Sequence, residues 1–188
     1  MAFVRPSLFA VALIVASGAA LAQPIASEGE RAWGRIEQVL TSPRCINCHP
    51  ASDRPTQTDA MHPHRMSVTR GPNNHGAPGL HCSACHQERN NAASGVPGAP
   101  HWGLAPRSMG WVGLSSGDLC RRLKDPEANG NRTVADLVRH MTEDALVLWA
   151  WQPGLDGRGG QRKPPPLTIA ELGEALGAWA AAGAPCPQ

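Results

Sequence analysis

Cys45-Ile46-Asn47-Cys48-His49 recurs as Cys82-Ser83-Ala84-Cys85-His86, and both stretches read C-x-x-C-H. That is the attachment signature of a c-type haem. Two thiols add across the two vinyl groups of one porphyrin, and the two intervening residues match the vinyl spacing. The histidine that follows reaches under the ring and ligates iron from the proximal side. The pattern nominates Cys45, Cys48, Cys82 and Cys85 as thioether donors and His49 and His86 as proximal ligands. It implies two haem c groups on one chain. Paired thiols also fit a zinc ribbon, but that reading leaves the histidine after each motif unexplained.

Residues 1–22 read as a signal peptide. Arg5 sits in a short n-region, an apolar run spans Leu8 to Val15, and Ala20-Leu21-Ala22 forms an A-x-A cleavage site. The alternative is an uncleaved anchor, which asks for about 20 apolar residues. This run is short and broken by Ser17-Gly18. Residues 23–188 then form a single domain, with no other stretch able to span a bilayer. Export to the periplasm suits haem attachment, which needs reduced thiols where haem is delivered. The formal net charge is +2, falling by one with Arg5. Nucleic-acid binding needs a basic stripe, and none is present.

Two Phe and no Tyr stand against 20 Gly and 18 Pro. Such a chain is short of large side chains for an interior, and two haems would supply the missing apolar bulk. The expected fold is mainly α with long irregular loops and no significant sheet: a small multihaem cytochrome c wrapped around its cofactors. Ser27-Glu28-Gly29-Glu30 is a capping box. Behind it, Trp33, Ile36, Val39 and Leu40 predict a helix to about Leu40. Residues 49–111 are rich in Pro, Gly, Asn and His, as suits a segment carrying the second haem and the distal ligands. Ser115 or Ser116 can cap a helix bearing Leu119, Cys120 and Leu123. Thr133 opens another, with Val134, Leu137, Val138 and Met141. Thr168 and Glu171 box a last one, with Leu172, Ala175, Leu176 and Trp179 on its apolar face.

Four cysteines serve the motifs, and Cys120 and Cys186 remain. In an oxidising compartment a leftover pair is expected to bridge; the alternative is two unrelated buried thiols. A bridge closing a loop of this length contributes up to ~4–5 kcal/mol in the chain-entropy description.

The sixth iron ligands must come from six further histidines and the methionines. His81 directly precedes Cys82 and is badly placed, His75 lies in a turn, and Met141 falls on an apolar helix stripe. His62-Pro63-His64 is better, because proline stiffens the backbone that would hold an imidazole over iron. His101-Trp102 follows a stiff Pro-Gly-Ala-Pro stretch. We expect bis-histidine coordination, with His64 and His101 as first candidates and His62 and His140 in reserve. The six tryptophans are expected to pack against the rings rather than to form an electron path.

The two C-x-x-C-H sites join His62-Pro63-His64, Arg70-Gly71-Pro72, Gly98-Ala99-Pro100-His101-Trp102 and Leu146-Val147-Leu148-Trp149-Ala150-Trp151-Gln152-Pro153-Gly154. Together they resemble small exported dihaem c-type cytochromes, often labelled as the cytochrome or isoquinoline 1-oxidoreductase subunit of periplasmic molybdenum hydroxylases. The resemblance implies an electron carrier whose redox partner is such a hydroxylase. Nothing resembles the molybdopterin-binding or iron–sulfur segments, so hydroxylation would belong to another chain. The alternative is a small peroxidase-like dihaem enzyme with one open iron position. Known dihaem peroxidases are about twice this length, which favours the carrier.

Overall fold

The computed structural model describes Met1 and residues 26–188; the expected signal peptide lies outside the described residues. Helix α1 (Glu28–Leu40) is opened by the expected box. The Ser27 Oγ accepts from the Glu30 N–H and the Ser27 N–H donates to Glu30. Helix α2 (Pro43–Ile46) is a single turn carrying Cys45. Two ladders of two residues per strand follow. Strand β1 (Thr56–Gln57) pairs antiparallel with β2 (His62–Pro63), and β3 (Gly76–Ala77) with β4 (Leu80–His81). The rest is helical: α3 (Ser116–Lys124), α4 (Pro126–Asn129), α5 (Val134–Glu143), α6 (Ala145–Leu148) and α7 (Ile169–Ala181). The fold is mainly α with long irregular loops, as the sequence predicts. None of the described helices is long and apolar enough to cross a membrane.

Helices α1 and α7 pack along their lengths, and α5 packs on α7. Trp33 and Trp179 meet at this seam with ring centroids 5.5 Å apart. Around them Ile36, Leu119, Leu123, Leu172 and Leu176 are all buried. Each indole N–H finds an acceptor, Ser116 Oγ at 2.9 Å and the Pro185 carbonyl at 2.9 Å. Ser115 is the cap of α3, accepting from the Asp118 N–H. Its neighbour Ser116 is thereby free to accept from Trp33 and donate to Glu37. Tryptophan and leucine thus form a protein core at this seam. Both Phe lie in residues 1–22.

Cys120 and Cys186 form the expected disulfide, with Cα atoms 5.5 Å apart. It fixes the C-terminal tail against α3. Gly29 admits that tail to α1, since a Cβ there would lie 2.5 Å from Pro185 Cγ.

The irregular segment between the motifs hangs on one side chain. Arg70 is 5 % exposed. Its guanidinium donates to the carbonyls of Pro50 and Ser52 at 3.2 Å each, to Asn74 Oδ1 at 3.1 Å and to the carbonyl of Ala105. Gly71 next to it has φ +67°, and a Cβ there would overlap the Gly76 carbonyl. Only glycine permits the chain to double back so tightly.

Candidate functional site

Both C-x-x-C-H stretches fold into one tight helical turn. In each, the histidine N–H donates to the carbonyl of the first cysteine: His49 to Cys45 at 3.1 Å and His86 to Cys82 at 2.9 Å. Ser42 and Pro43 start the first turn; a 3-10 turn over Cys82–Ala84 makes the second.

The surroundings of the two histidines repeat. His49 Nδ1 lies 2.8 Å from the Met109 carbonyl, and His86 Nδ1 lies 2.7 Å from the Pro97 carbonyl. A carbonyl can only accept, so Nδ1 carries the proton in both rings and Nε2 keeps its lone pair. His49 stacks on Trp111, with centroids 3.5 Å apart and planes at 11°; His86 stacks on Trp102 at 4.6 Å and 7°. Trp111 is itself tied to the Leu40 carbonyl at 3.1 Å. Trp102 meets Trp149 edge-on at 4.8 Å, and Trp149 donates to Asn90 Oδ1 at 2.8 Å. Each turn thus presents two thiols and one oriented Nε2, the donor set that a covalent haem takes from a protein.

No protein-family model, curated protein or solved structure matches the chain. The site is therefore read from its own residues.

Burial dominates their acid–base behaviour. It pushes the Cys45 thiol up to about 12 and the Cys48 thiol up to about 11; Arg44 pulls Cys48 back in part, and the Cys82 thiol adds to the rise. Burial also lowers the His49 imidazole to about 4 and holds those of His86 and His140 below their ordinary value. A neutral imidazole is the metal-ligating form.

The remaining candidates sit in different settings. His64 is half-buried, its ring centroid 6.1 Å from that of His86. His140 is half-buried on α5 with Nδ1 3.3 Å from Asp144 Oδ2, and its charge bears on His49. His62 is exposed on β2. His101 is exposed at φ +59°, on the rim of a cavity of about 250 Å³ that it shares with His75, His81, His86 and Trp102. His75, as its turn setting suggests, is exposed; Met141 is buried in the core.

Two arginines went unassigned in the sequence reading. Arg44 and Arg70 are both 5 % exposed; the Arg44 Nε–H has no hydrogen-bond partner among the described residues, and the Arg70 Nε lies 3.9 Å from Asp53 Oδ1. Arg44 pairs with Asp59 and lies 5.9 Å over the Trp149 ring. A buried cation with an unused donor suits an anionic group. The available signal was position: Arg44 directly precedes Cys45. Asn90 was also missed; its amide joins the loop after the second motif to the Gln152 carbonyl at 2.8 Å. Nothing local in the sequence marks it.

Proposed function

We propose that the protein is a periplasmic electron carrier with two covalent haem c groups, one on Cys45 and Cys48, the other on Cys82 and Cys85. The observation that carries this reading is repetition: the same turn, the same Nδ1-to-carbonyl bond and the same tryptophan stack occur at both motifs. The donors come in this two-thiol, one-imidazole form.

When bound, the two haem groups would supply reversible one-electron chemistry. The residues of the chain decide how that chemistry is used. His49 and His86 offer Nε2 in a fixed tautomer, and the Met109 and Pro97 carbonyls make that nitrogen more basic. Trp111 and Trp102 stop the imidazoles from rotating and cover them from water. Arg44 and Arg70 place positive charge beside the first turn and the loop that follows it, fitting the carboxylates that a haem carries. Histidine on the second face of each iron would leave no open position, as a carrier requires. The resemblance to cytochrome subunits makes a periplasmic molybdenum hydroxylase the candidate partner.

Exported protein should carry two covalent haems per chain, by pyridine haemochrome assay and by mass. Replacing Cys45 and Cys48 with serine should remove one. Carbon monoxide should bind the native protein slowly or not at all. Protein without covalent haem would sink the reading, and rapid uptake at one iron would turn it towards the peroxidase-like enzyme.

A further inference from the structure

We infer that His64 is the second axial ligand of the iron held by His86. The inference rests on the dihaem reading above and names a residue that the reading leaves open.

The backbone brings His64 to the second motif and holds it there. Pro63 ends β2, which is paired to β1, and the His64 N–H donates to the Pro55 carbonyl at 2.9 Å. The His64 ring is anchored too: its Nδ1 is 2.8 Å from the Arg65 carbonyl. Nδ1 is therefore the protonated nitrogen, and Nε2 is left with its lone pair, as in His86.

The spacing is that of a pair with an ion between. The centroids are 6.1 Å apart and the planes make 68°. Two metal–nitrogen bonds of about 2 Å, with about 1.1 Å from each nitrogen to its ring centre, separate trans imidazole centroids by about 6 Å. An edge-to-face aromatic pair also falls within about 4.5–7 Å, so distance alone does not decide. The partners decide: the face of His86 is already stacked on Trp102 at 4.6 Å. Both half-buried rings commit Nδ1 to a backbone carbonyl, His64 to Arg65 and His86 to Pro97, so each has only Nε2 left to bind with. A Lewis acid held by both would give each Nε2 a partner.

His101 competes on sequence but not on placement. It shares a cavity with His86, yet its side chain is exposed at φ +59°.

The test uses exported holoprotein and electron paramagnetic resonance, with haem counted in every sample. Wild type should hold two low-spin haems. His64→Ala should keep both haems attached and turn one of the two high-spin. That haem should bind carbon monoxide, and added imidazole should restore the low-spin signal. His64→Met should instead bring up the near-infrared methionine–iron band, a gain of signal that a misfolded chain would not show. His101→Ala should leave both haems low-spin. The inference is overturned if His64→Ala retains two low-spin haems that refuse carbon monoxide, or if His101→Ala opens an iron. Wild-type protein with no covalent haem overturns the dihaem reading instead, and the inference with it.

Discussion

His49 shows how a single half-buried ring couples chemistry to stability. Its imidazole ordinarily titrates near 6.5 and is lowered to about 4, mainly by burial. In haem-free chain, acidification between those values protonates the unfolded state before the folded one. A lowered pKa therefore stabilises fully above pH 6.5 and is lost as pH falls towards about 4. His86 and His140 are lowered as well and add to the same slope. Urea unfolding of the haem-free protein at stepped pH should show stability falling across this window; a flat profile would contradict the burial argument. Arg70 carries a different load. Each buried carbonyl it leaves unpaired should cost about 1–3 kcal/mol, so Arg70→Met should strongly destabilise the segment between the motifs. Arg70→Lys should rescue little, because an ammonium has no planar fork to reach Pro50, Ser52 and Ala105 together. Hydrogen exchange across residues 50–105 reads both effects.

At the scale of elements, the α1–α7 seam carries the stability. Trp179→Ala removes a fully buried indole packed at a tilt against Trp33 and should cost about 3–5 kcal/mol, measured by chemical denaturation. Helix α5 presents both faces of its role: Met141 enters the core while His140 turns out towards Asp144. The helices were legible because their signals are local. Ser27 with Glu30 and Thr168 with Glu171 are capping boxes that form as written, and the i, i+3, i+4 apolar spacing marks the buried faces. The turns α2, α4 and α6 have four residues each, too few to show a period. The C-x-x-C-H turns were legible for the same reason as the boxes. Their carbonyl and tryptophan partners were not, because Met109, Trp111, Pro97 and Trp102 reach them through irregular chain whose path no periodicity records.

For the whole molecule, the Cys120–Cys186 bridge spans 66 residues and holds the tail on α3. Reducing it, or replacing both cysteines with serine, should lower stability by about 4 kcal/mol in the chain-entropy description. Midpoints of urea unfolding with and without reductant provide the measure, and on the proposed dihaem reading the denatured protein should show no free thiol. The bridge was legible by subtraction, four cysteines being committed to motifs. The buried faces of α1 and α7 were legible from their spacing; their pairing was not, since no local pattern names the helix a face will meet.

The fastening at Arg70 has an evolutionary side. It grips main-chain oxygens of Pro50, Ser52 and Ala105 and a single side chain, Asn74. Selection for the fastening therefore acts on one arginine and leaves an exposed side chain such as that of residue 52 free to drift. Such a segment can change the face it shows to other proteins while its path stays fixed. Saturation mutagenesis should find position 70 intolerant and position 52 permissive.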